Sequence, residues 1–99
     1  MKRRKLALLT LLLWVSGCAM GYQTDPQFRS WLSQAEERCV SLYGALPFDG
    51  SKARVEFEKL SYQTYYNHLS SEVYADRLKI LYSSHRLTVD CLATAFPKW

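Results

Sequence analysis

The sequence predicts an all-α fold, a small three- or four-helix bundle with one disulfide. Three observations carry that prediction. Apolar residues recur at spacings of three and four over two long stretches, as they do on the buried faces of helices. One cysteine, Cys39 or Cys91, lies on each of those stretches. The chain is rich in aromatic residues, 14% of the total, which supplies core-forming side chains and argues against disorder.

The first helix is placed at 26–43. Asp25 can cap it and Pro26 suits the first turn. Phe28, Trp31, Leu32, Ala35, Cys39 and Leu42 then mark one face, and Gly44 offers a C-terminal stop. The segment Ala45-Leu46-Pro47-Phe48-Asp49-Gly50 has turn chemistry; its apolar members, Leu46 and Phe48, are expected to fold back onto the core.

A second helix starts at Asp49 or Ser51, and its pattern is split. Ala53, Phe57 and Leu60 share one face, whereas Val55, Tyr62, Tyr66, Leu69 and, at the edge, Tyr65 lie opposite. The helix is therefore either buried on two sides or bent near Ser61. Ser70 or Ser71 opens the last helical region, with Glu72 in its first turn. One stripe there runs through Tyr74, Leu78, Leu81, Tyr82, His85, Val89, Leu92 and Phe96, and a second through Val73, Ile80, Leu87 and Cys91. One long helix fits, as does a break at Ser83-Ser84, and Pro97 ends the region.

The N-terminal segment has a different character. Lys2-Arg3-Arg4-Lys5 is a positive block, Leu6 to Val15 are apolar except for Thr10, and Ser16, Gly17 and Cys18 follow. A charged start, a short apolar run and a small-residue end form a secretory signal peptide. The run is too short to remain as a membrane-spanning helix, which needs about 20 apolar residues. Val15-Ser16-Gly17-Cys18 resembles the lipobox of bacterial lipoproteins. The alternative is an ordinary signal peptide that carries a cysteine. The resemblance implies cleavage after residue 17, acylation of Cys18 by palmitate-type chains, and a membrane anchor worth about 0.8 kcal/mol per buried methylene. Ala19, rather than Asp, implies sorting to the outer membrane with the domain on the periplasmic face. The expected organisation is signal peptide 1–17, lipidated tether 18–24 and helical domain 25–99.

This organisation changes what charge and cysteine content mean. Formal net charge is +4, but four of the thirteen basic residues lie in the signal peptide. Nine basic residues then face nine acidic ones, so the balance gives no reason to expect nucleic-acid binding. With Cys18 assigned to lipid, Cys39 and Cys91 remain. In an oxidising compartment such a pair is expected to form a disulfide, worth roughly 3–5 kcal/mol for a loop of this length. A metal site or a reactive thiol is the alternative.

No catalytic constellation stands out. His68 and His85 are the two histidines, and His85 and Cys91 sit about 120° apart on a helix, too far round to share a metal. No zinc-type spacing, phosphate-cradling glycine loop or nucleophile elbow occurs. The carboxylate pairs Glu36-Glu37 and Glu56/Glu58 fit solvated helix faces. The expectation is a non-enzymatic protein with no metal, no cofactor and no identified small-molecule substrate. Tyr62, Tyr65, Tyr66, Tyr74 and Tyr82 crowd the middle of the chain. Most are expected to pack in or against the core, and because tyrosine is enriched at protein interfaces some of them are the candidate contact residues for a protein partner.

The lipobox, the Cys39…Cys91 spacing and the Leu46-Pro47…Asp49 loop together resemble the pilot lipoproteins of type II secretion systems. The resemblance implies a helical bundle that holds a helical segment of the secretion channel and escorts it to the outer membrane, a helix-in-groove mode of recognition. Other readings are an assembly factor of another secretion apparatus, an inhibitor of a periplasmic enzyme such as lysozyme, or a conjugation exclusion lipoprotein.

Overall fold

The computed structural model of the protein describes residues 21–98. The expected signal peptide and lipobox, with Cys18, lie outside the described residues. Within them the structure is all-helical: α1 (Gly21–Thr24), α2 (Pro26–Tyr43), α3 (Gly50–Tyr65), α4 (Ser71–Leu81), a 3-10 turn (Ser83–His85) and α5 (Arg86–Thr94).

The predicted start of α2 is realised in detail. Asp25 Oδ1 accepts the Phe28 N–H at 3.1 Å, and Pro26 occupies the first turn. Phe28, Leu32, Ala35 and Cys39 form its buried face. The helix stops at Gly44, whose φ of 98° lies in the left-handed region that favours glycine and whose N–H donates to Val40 O. Leu46 is buried, and Phe48 packs on Phe57 and Tyr82 at ring separations of 5.0 and 5.8 Å, so the loop does fold back onto the core.

The split pattern of α3 resolves into one continuous helix. Its buried residues are Phe57, Glu58, Ser61, Thr64 and Tyr65. Ser61 and Thr64 occupy the core face because their hydroxyls are satisfied locally: Ser61 Oγ donates to Phe57 O at 2.8 Å and Thr64 Oγ1 to Leu60 O at 2.9 Å. Ser61 Oγ also lies 2.9 Å from the buried Tyr74 hydroxyl.

Ser70 caps α4 through the Val73 N–H at 3.2 Å. The last region is broken, not continuous. α4 ends at Leu81, the chain turns through Tyr82 and Ser83–His85, and α5 follows. Tyr74, Leu78, Tyr82, Val89 and Leu92 of the first stripe are buried as expected. The second stripe is not a buried side: Val73, Ile80 and Leu87 are exposed, and only Cys91 of that set packs against the core.

Cross-helix contacts give an up-down-up-down order. Arg29 pairs with Glu58 and Arg54 with Glu36, so α3 runs antiparallel to α2. Ser61 meets Tyr74, and Lys79 meets Asp90 at 2.6 Å, so α4 and α5 alternate in turn. Trp31 Nε1 donates to Ala95 O at 2.9 Å, Cys39 joins Cys91, and Thr88 Oγ1 donates to Gly44 O at 2.8 Å, which closes α5 against α2. The Cys39–Cys91 disulfide spans a separation of 52 residues with a Cα–Cα distance of 5.7 Å. On the α2–α3 face, Arg54 grips Glu36 with both terminal nitrogens and Glu58 with Nε, and its guanidinium lies 5.2 Å from the Phe48 ring centre.

Candidate functional site

The bundle has two unlike ends. The N terminus of α2, the C terminus of α3, the N terminus of α4 and the C terminus of α5 meet at one of them, together with α1. It is called the tether end because Gly21 follows Cys18 by three residues. The opposite end carries the close of α2, the Gly44–Asp49 loop and the turn between α4 and α5.

Aromatic rings fill the tether end. Phe28 meets Tyr62 and Tyr65 edge-on at 5.1 and 5.6 Å, Trp31 stacks on Phe96 at 4.5 Å, and Tyr62 meets Tyr66 at 5.1 Å. α1, which the sequence suggested was tether, is a helical turn packed on this cluster. A Cβ at Gly21 would stand 3.5 Å from the Tyr62 hydroxyl, so the backbone there approaches the ring closely. Tyr66 donates its hydroxyl to Asp25 Oδ2, joining the end of α3 to the cap of α2. That bond, together with the Phe28 N–H, holds the Asp25 carboxyl below its usual range. The same bond pushes the Tyr66 phenol up to about 12.

The geometry sorts the five candidate tyrosines between the core and the surface. Tyr65, Tyr74 and Tyr82 are core residues, the first two at 3% and 0% exposure, and offer no contact area to a partner. Enclosure among rings covers them, and burial pushes the Tyr74 phenol well above its ordinary value while the Ser61 hydrogen bond opposes the shift. Tyr62 and Tyr66 are half-buried at the tether end.

At the far end the apolar surface is aliphatic and uncovered. Leu42 continues the α2 stripe of Phe28, Leu32, Ala35 and Cys39, yet it is 63% exposed. Leu81 continues the α4 stripe of Tyr74 and Leu78, yet it is 64% exposed. Two core stripes therefore run on past the packed core at the same end. Ile80 and Leu87 stand exposed beside them, at either side of the α4–α5 turn, and Tyr43 is half-exposed next to the Gly44–Thr88 bond. Leu81 also lines a shallow groove of about 280 Å³ between α3 and α4, with Ala53, Phe57, Leu60, Leu78 and Tyr82 as its other apolar members. The sequence carried the signal in the phase of Leu42 and Leu81, but periodicity alone does not say where neighbouring helices end.

The polar candidates are dispersed. Of each carboxylate pair one member, Glu36 or Glu58, enters the arginine network, and the other, Glu37 or Glu56, is exposed. His68 is exposed, and His85 Nδ1 lies 2.9 Å from the hydroxyl of its neighbour Ser84. Among the described residues, no group of three or more His, Cys, Asp or Glu side chains is placed to hold a metal ion. None of the described helices is long and apolar enough to cross a membrane. No protein-family model matches the chain, and no curated protein or solved structure matches it either.

Proposed function

We propose that the protein is a lipid-anchored, outer-membrane lipoprotein on the periplasmic face that works by binding a protein partner, as a secretion-system pilot or assembly factor does. The observation that carries this reading is the far end of the bundle. Apolar side chains that keep core phase but remain in solvent mark sites where another chain completes the packing. Leu42 and Leu81 are such residues, and Ile80 and Leu87 widen the surface they offer. The lipobox Val15-Ser16-Gly17-Cys18 supplies the anchor in this reading, and the Cys39–Cys91 bond suits an exported domain.

The pilot reading is tested in the native host. Deletion of the gene should leave the secretion channel away from the outer membrane, and the Leu42→Lys/Leu81→Lys double variant should act like the deletion while remaining folded and membrane-bound. A channel that reaches the outer membrane normally in the deletion strain removes the pilot reading. Cys18→Ser should release the protein from membranes without detergent; a variant that still sediments and still takes up labelled fatty acid removes the anchor.

A further inference from the structure

The ends of the bundle differ in charge as well as in apolar chemistry, and the difference bears on how the domain meets a membrane. The segments that build the tether end are 21–31, 60–74 and 93–98. Their ionised side chains are Asp25, Arg29, Glu72 and Lys98, which sum to zero. Asp25 is bonded by Tyr66 and Arg29 by Glu58. Every other Asp, Glu, Lys and Arg of the described residues lies in 36–59 or 76–90. What the tether end offers instead is amphipathic rings, Tyr22, Tyr62 and Tyr66, and uncharged hydrogen-bonding groups, Gln23, Gln27, Gln63 and Asn67. Rings with a polar tip and an apolar body are the side chains that settle at the membrane–water boundary, and a surface whose unpaired charges are only Glu72 and Lys98, one of each sign, has few ions to desolvate there.

We infer that this charge-poor, tyrosine-lined end rests on the phospholipid headgroups, so that the bundle stands on the membrane with its aliphatic end outward. The inference rests on the reading of Cys18 as the lipidated residue. Only Ala19 and Met20 separate Cys18 from Gly21, the first residue of α1. Three residue steps reach about 11 Å at full extension. The headgroup layer of one leaflet is about 5–7 Å thick. The anchor thus leaves about 5 Å of slack beyond the headgroups, and α1 is itself packed against Tyr62. From there α2, of 18 residues, carries the chain about 27 Å away at the helical rise. Leu42 and its neighbours are then presented to a partner and kept off the bilayer.

The test uses the full lipidated protein in nanodiscs of phosphatidylethanolamine and phosphatidylglycerol that contain a phospholipid with a nitroxide on its headgroup. The ring signals of Tyr22, Tyr62 and Tyr66 should lose intensity several-fold relative to the methyl signals of Leu42, Ile80 and Leu87. Co-elution with the nanodisc reads the anchor separately. Co-elution with equal broadening at both ends, or with stronger broadening at the methyls, overturns the inference and leaves the anchor standing. Failure to co-elute overturns the anchor and the inference with it.

Discussion

The tether end and the far end are both crossed by the apolar stripes of α2 and α4 and end up with opposite surfaces. At the tether end four chain segments and α1 converge, so Phe28 and Tyr65 are covered and Tyr66 finds a hydrogen-bond partner in Asp25. At the far end only a short loop and a 3-10 turn connect the helices, and α2 and α4 carry their stripes beyond that cover. Whether an apolar residue is core or exposed surface is thus decided here by how far the neighbouring elements extend, and not by its phase on its own helix.

The largest effects come from breaking what holds one end or both. Phe28→Ala empties the centre of the tether-end cluster and should cost about 3–5 kcal/mol, as large-to-small core substitutions do. Urea unfolding gives the total, and hydrogen exchange should show α1 and the end of α3 loosening before the α4–α5 turn. Loss of protection spread evenly over the bundle would show that the two ends do not behave separately. The disulfide lies between the ends and ties α2 to α5. Cys39→Ala/Cys91→Ala should lower stability by about 4 kcal/mol, the loop-entropy value for this separation, and should destabilise both ends alike. A change under about 1 kcal/mol would mean that packing alone already restrains the unfolded chain.

Much of this architecture was legible in the sequence. The bounds of α2 follow from Asp25, Pro26 and Gly44, three residues with local backbone chemistry that tertiary contacts do not override. The inward folding of Leu46 and Phe48 followed from their hydrophobicity. The core face of α3 was not legible, because Ser61 and Thr64 satisfy their hydroxyls on their own helix and so occupy buried positions that a hydrophobic pattern assigns to solvent. The tyrosines left two readings open for the converse reason. A phenol counts equally as core or interface until its hydroxyl partner is known, and Ser61 makes Tyr74 a core residue. The exposed stripe of Val73, Ile80 and Leu87 looked like a second buried side, because helical periodicity records an apolar face without recording what covers it.

A smaller effect separates the hydrogen-bonded end from the merely apolar one. Tyr66→Phe removes the hydroxyl that Asp25 accepts. The Asp25 pKa, read by NMR titration, should rise toward its ordinary value of 3.8. Because the folded-state value is depressed, the contact stabilises the native state above the unfolded carboxyl pKa, and the stabilisation fades as pH falls through the folded one. Tyr66 titrates in the opposite sense. Its raised folded value, about 12, means that its share is complete below the ordinary phenol pKa of 10.0 and is lost as pH rises through the folded value. The wild-type protein should therefore lose stability relative to Tyr66→Phe at both extremes, and a constant difference across pH would remove the Asp25–Tyr66 bond as a stabilising element.

The smallest effect on stability is expected where the effect on function is largest. Leu42 and Leu81 are already in solvent, so Leu42→Lys/Leu81→Lys removes little buried area and should change unfolding free energy by no more than about 0.5 kcal/mol per site, as for ordinary surface substitutions. Lysine at these positions can even cover apolar surface with its methylene stem. If the far end exists to be completed by another chain, the same substitutions place two charges in the middle of that contact, where they are desolvated without a partner. Unaltered thermal unfolding together with loss of partner binding would separate contact from core. A drop of about 2 kcal/mol or more would instead give the two leucines the status of core residues, and the far end would then be packed core like the tether end.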